Sequence, residues 1–133
     1  MSEASLNPTS QARVLVVEDE DRICELLTDM LEADGYDAHC VQTDRGAYET
    51  LQHDRNFACM IVDVNLGSGT TGYDVARFAR KIDPRLPVIY VSGQTSPDSF
   101  RVNGVPGSLF LAKPFTADEL LDHVRKLAGD NDD

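Results

Sequence analysis

The chain lacks any apolar run approaching the ~20 residues that cross a bilayer as a helix. Its opening residues, MSEASLNPTSQA, carry no apolar stretch of the kind that drives secretion, so 1–12 reads as a loose polar tail rather than a signal peptide. Basic residues are scarce: 12 Lys and Arg face 23 Asp and Glu, for a formal net charge of −11. Such a balance argues against gripping nucleic acid through a basic face. It suits solubility, cations or a basic protein partner. Cysteine is sparse and odd in number. Cys24, Cys40 and Cys59 match no zinc spacing, and each lies in an apolar or amphipathic segment. They read as small buried hydrophobes in a reducing cytoplasm. The histidines, His39, His53 and His123, are scattered, with none beside a Ser or Cys in a catalytic arrangement. They read as surface or partly packed side chains.

What is present is ordinary in amount and unusual in order. Hydrophobic residues make up 41% and charged residues 26% of 133, as in a soluble globule with one core. The stretch VLVVEDED, residues 14–21, runs four apolar β-formers straight into four carboxylates. Strand signals recur at 13–17, 37–42, 57–62, 88–92 and 108–112. Between them lie helix signals. Ile23, Leu26, Leu27, Met30 and Leu31 repeat on one helical face, and Gly35 ends that helix. Thr43 or Asp44 caps a helix reaching about His53. A third helix covers about 73–81 and stops before Pro84. A poor candidate occupies 97–103, and a last helix spans 117–128. DNDD closes the chain as a solvated acidic tail, 129–133.

Five strands alternating with helices predict an α/β domain over 13–128, with a parallel sheet covered on both faces. Of the familiar strand orders, 2-1-3-4-5 places the carboxyl ends of strands 1, 3, 4 and 5 side by side. Those ends carry Glu18 and Asp19, Asp63, Ser92, and Lys113 followed by Pro114. Close carboxylates disfavour one another's ionised forms unless a cation sits among them. Oxygen-only ligands in a half-open site suit Mg²⁺, with Mn²⁺ as a substitute. Lys113 supplies a compact positive charge and Ser92 a hydrogen-bond donor, which together can neutralise a transferring phosphoryl group. Asp63, central among the ends, is then the natural nucleophile.

At these motifs the chain resembles the receiver domain of two-component response regulators. The matching segments are VVEDE at 16–20, IVDVNL at 61–66, YVSG at 90–93 and FLAKPF at 110–115. The resemblance covers roughly 13–127 and implies the doubly wound (βα)5, flavodoxin-like fold of the CheY-like type. It implies that Asp63 is the phosphoacceptor. Asp19 would bind Mg²⁺ directly, Glu18 mainly through water, and Asn65 by its backbone carbonyl. Ser92 would be the switch hydroxyl, and Phe110 the aromatic that turns inward when the hydroxyl moves. Lys113 would pair with the phosphoryl group, and its bond to Pro114 would be cis. Asn65 and Gln94 would tune dephosphorylation by shaping access of water. The phosphodonor would be a histidine kinase or a histidine phosphotransfer protein. The output would be a downstream protein target or onward transfer, by a cytoplasmic, stand-alone monomer or weak dimer with no nucleic-acid or membrane contact.

Taken singly, each residue has a plainer reading. Glu20 and Asp21 complement the dipole of the first helix. Asp63 alone could cap a turn, Ser92 could be a loop hydroxyl, Lys113 a surface charge and Phe110 a core ring. Their conjunction at one edge favours the receiver. Three rivals remain in view: a Mg²⁺-dependent phosphohydrolase, a flavin-binding electron carrier of the same strand order, and an adaptor that works without phosphorylation. Two departures from the family pattern stand out. Leu66-Gly67 replaces a common Met-Pro in a Gly-rich loop one residue longer than usual, and Pro97, Gly104, Pro106 and Gly107 shorten the fourth helix.

Overall fold

The computed structural model describes residues 12–67, 70–93 and 97–128. The elements run β1 (Arg13–Val17), α1 (Asp21–Ala33), β2 (Asp37–Val41), α2 (Asp44–His53), β3 (Cys59–Asp63), α3 (Gly72–Ile82), β4 (Val88–Ser92), α4 (Pro97–Asn103), β5 (Leu109–Ala112) and α5 (Ala117–Leu127). The five strands pair in parallel in the order β2-β1-β3-β4-β5, as the sequence predicts.

The apolar strands lack alternation because helices cover both faces of the sheet. Successive side chains point to opposite sides. Leu15, Val17, Met60, Val62, Val88 and Tyr90 therefore pack with Ala47 and Leu51 of α2 and Val75, Ala76 and Ala79 of α3. Their neighbours Val14, Val16, Ile61, Ile89 and Val91 pack with Leu27 and Leu31 of α1 and Leu120 and Val124 of α5. Local chemistry sets the helix starts. Thr71 with Asp74, and Thr116 with Glu119, form reciprocal capping boxes on α3 and α5. Thr43 accepts from the Gly46 N–H at the start of α2. No side chain caps α1, whose first turn has only Asp21 to complement its dipole.

Two local readings change. The third strand begins at Cys59 rather than 57. Phe57 lies outside the ladder, buried beneath the Arg13 guanidinium at 4.6 Å. β2 stands at the sheet edge, as the predicted order requires, and is only half-buried. The uniform reading of the cysteines is also corrected: Cys24 of α1 and Cys40 of β2 are joined in a disulfide, with Cα atoms 6.1 Å apart. Their spacing along the chain hides this. The crossover from β1 lays α1 back along β2, and only the fold brings the two together. Cys59 is free and buried, and burial pushes its thiol up to about 12, so it is unreactive. Among the described residues no helix is long and apolar enough to cross a membrane.

Gly72 ties α3 to the end of β3. Its N–H donates to the Val64 carbonyl at 2.8 Å. A Cβ there would stand 2.4 Å from the Asp63 carbonyl oxygen and 3.0 Å from the Val64 Cα. Gly72→Ala is expected to destabilise the fold by about 1–3 kcal/mol, seen as a lower urea midpoint at unchanged slope. An unchanged midpoint would show that α3 can retreat without loss.

Candidate functional site

The parallel register brings the strand ends level. Val17 pairs with Val62, and Asp63 with Val91. Beyond β1, the Glu18 N–H donates to the Val41 carbonyl at 3.0 Å, extending the ladder by one residue. The Glu18 side chain is consequently only 1% exposed, while Asp19 projects into solvent. Asp63 ends β3 and is buried. One carboxylate oxygen from each of Glu18, Asp19 and Asp63 lies within 4.8 Å of the other two.

Lys113, just past β5, joins two of these acids. Its Nζ stands 3.3 Å from Glu18 Oε1 and 3.2 Å from Asp63 Oδ2. Its backbone N–H donates to the Ser92 carbonyl at 2.9 Å, and the Lys113–Pro114 peptide is cis. Asp63 Oδ1 accepts from the Asn65 backbone N–H at 3.0 Å. The Asn65 side-chain amide donates to Ser92 Oγ at 3.1 Å, and Ser92 is buried. A cavity of about 360 Å³ opens over this group, lined in part by Asp19, Asp63, Asn65, Gly93 and Lys113. Gly67, at φ 83°, passes so close that a Cβ would meet Asp19 Oδ2 at 3.0 Å.

Charge is out of balance here. Burial first, and then the nearby Asp63 charge, push the Glu18 carboxyl up to about 7 against the pull of Lys113. Burial works to lower the Lys113 pKa, but the charges of Asp63 and Glu18 outweigh it and keep the ammonium above its usual value. Three carboxylates against one ammonium leave two negative charges uncompensated when all are ionised. The donor set is all oxygen, and one member is open to solvent. It therefore fits a hard divalent cation.

The other predicted residues lie around this pocket. Phe110 sits on β5, half-buried, with its ring 5.5 Å from Phe100 of α4. Gln94, proposed beside Asn65, lies outside the described residues, as do most of the two tails. Two features escaped the sequence reading. Glu20 does more than face a helix dipole: its N–H donates to Glu18 Oε2 at 3.2 Å, and it lines the cavity. Tyr73, Tyr90, Phe100 and Phe110 form a chain of ring contacts from α3 to β5. The four rings come from four separate elements, so no local pattern in the sequence marked the chain.

The strand order puts the pocket at the switch point, where doubly wound domains bind their ligands. Such a domain with acids, a lysine and a hydroxyl at these ends is of the receiver class. A family model for the response regulator receiver domain matches residues 14–125. The chain belongs to that family. It is 31% identical over 121 residues to the response regulator receiver protein CpdR of Brucella abortus, covering 86% of this chain and 95% of that protein. The transcriptional regulatory protein CssR of Bacillus subtilis is 32% identical over 116 residues, covering 86% of this chain. The chain spans about half the length of several of the curated relatives it matches, CssR among them. Among solved structures, a response regulator receiver protein from Sinorhizobium medicae aligns at a TM-score of 0.85 and 30% identity, over 92% of this chain and 98% of that one. Vibrio cholerae chemotaxis protein CheY4 aligns at 0.79 and 26% identity, over 89% and 99%.

The raised Glu18 pKa has a consequence for stability. Folded Glu18 keeps its proton up to about pH 7, whereas an unperturbed carboxyl releases it near 4.5. The native state therefore binds more protons than the unfolded chain in that window, and stability falls as pH rises through it. With chelator present, wild type is expected to lose on the order of 2–3 kcal/mol more than Glu18→Gln between about pH 4.5 and 7. Urea midpoints across that range check this. Parallel pH profiles for the two proteins would contradict it.

Proposed function

We propose that this chain is a phosphorylation-dependent protein switch of two-component signalling, acting in the cytoplasm. Asp63 accepts a phosphoryl group from the phospho-histidine of a histidine kinase or histidine phosphotransfer protein. The observation that carries this reading is the setting of Asp63. Oδ2 lies against the Lys113 ammonium and Oδ1 against the Asn65 N–H, beside an open cavity.

In the step proposed, a carboxylate oxygen of Asp63 attacks phosphorus in line. The P–N bond to the donor imidazole breaks, and its electron pair stays on the departing nitrogen. Glu18, Asp19 and Asp63, with the neighbouring Asn65 carbonyl, would hold Mg²⁺ or Mn²⁺, which when bound supplies charge neutralisation to the phosphoryl oxygens. Lys113 places its positive charge on the same oxygens from the opposite wall. Ser92 donates its hydroxyl to the new phosphoryl group, and Phe110 follows inward, shifting its contact with Phe100 and α4. Asn65 would shape the access of the water that later hydrolyses the acyl phosphate, the role the family pattern also gives to Gln94. The chain acts on its own Asp63 and turns over no separate substrate. A downstream protein, or the next carrier in a relay, reads the changed surface.

The test is intact mass after incubation with acetyl phosphate and Mg²⁺. Wild type is expected to gain one labile phosphoryl group that Asp63→Asn does not. No gain by wild type, together with no binding of beryllofluoride, would overturn the proposal and favour an adaptor that works without phosphorylation.

A further inference from the structure

One residue touches both the proposed acceptor and the proposed switch. The Asn65 backbone N–H donates to Asp63 Oδ1, while its side-chain amide donates to Ser92 Oγ at 3.1 Å, across the β3–β4 boundary. An antiparallel bridge to Thr71 pins the Asn65 backbone. Thr71 in turn caps α3. The amide is therefore presented from a fixed position, although the residue is exposed.

The direction of the bond matters. An amide NH2 only donates, so Ser92 Oγ accepts here, and its own O–H must point away from Asn65. A serine hydroxyl otherwise rotates freely to suit its surroundings. Ser92 follows Val91, the register partner of Asp63 on the adjacent strand. A hydroxyl whose lone pair is taken by Asn65 remains a donor, and an anionic phosphoryl oxygen on Asp63 calls for a donor.

We infer that Asn65 is a positioning residue that acts through Ser92: it fixes the hydroxyl as a donor toward the phosphoryl group, rather than only screening water. This rests on the reading of Asp63 as phosphoacceptor. It assigns the residue a thermodynamic role that a purely kinetic gate for water lacks.

A double-mutant cycle separates the two, using beryllofluoride with Mg²⁺ as the probe. Asn65→Ala is expected to weaken beryllofluoride binding about five-fold, the effect of one ordinary hydrogen bond. Ser92→Ala is expected to weaken it at least as much, and Asn65→Ala to add nothing in the Ser92→Ala background. An Asn65→Ala effect of the same size in both backgrounds would overturn the inference, as would no effect in either. A second measurement needs no phosphoryl mimic. In the free protein, the side-chain amide proton resonances of Asn65 are expected to shift on Ser92→Ala. Resonances that stay in place would overturn the inference even if Asp63 proves to be phosphorylated. Failure of wild type to bind beryllofluoride would count against the phosphoacceptor reading, while the amide resonances still decide the Asn65–Ser92 bond.

Discussion

Everything at the carboxyl edge of this sheet depends on one contact: the Lys113 ammonium set between Glu18 and Asp63. Without it two buried carboxylates would face each other across adjacent strands. To reach them from β5, the lysine passes the end of β4, where Ser92 is followed by Gly93. A Cβ on Gly93 would already touch the Lys113 Cβ at 3.6 Å. Buried ion pairs of this kind contribute little net stability, since desolvation consumes most of the attraction. The arrangement makes better sense as chemistry held in readiness. The lysine neutralises part of the charge, and the two negative charges that remain fit a divalent cation.

On the face covered by α2 and α3, the Tyr73–Tyr90–Phe100–Phe110 chain connects the pocket rim to α4. The Tyr90 hydroxyl accepts from the Val105 N–H at 3.1 Å, just beyond that helix. α4 itself has seven residues and none that is buried. It is held by ring contacts and by polar links such as the Arg77 guanidinium donating to the Asn103 carbonyl at 3.2 Å. An element with so few buried contacts belongs to the low-stability end of the structure. It would be the natural part to respond if Phe110 turns inward as proposed.

Much of this was legible in the sequence because burial on two faces leaves a plain mark. VLVV, the run ending in Asp63, and VIYVS are continuous apolar segments, and helical faces with caps separate them. The strand order then lines up Glu18, Asp19, Asp63, Ser92 and Lys113 at one edge. What escaped depends on distance between segments remote in sequence. The Cys24–Cys40 disulfide needs α1 laid along β2. The position of Phe57 needs the Arg13 guanidinium above it. The Asn65–Ser92 bond joins residues 27 apart in the chain, and neither is unusual on its own. The Glu20 N–H bond to Glu18 is local, but a backbone donor leaves no mark on residue identity.

The central claim is that three carboxylates and one lysine form a site two positive charges short of balance, completed by a divalent cation. The most direct measurement is the urea midpoint as a function of Mg²⁺ concentration, with wild type and Asp19→Asn side by side. A cation bound only by the folded state raises stability with concentration as a simple binding isotherm. The account predicts a rising midpoint for wild type and a much weaker rise for Asp19→Asn. A wild-type midpoint indifferent to Mg²⁺ up to millimolar levels, or an equal rise in both proteins, would contradict it.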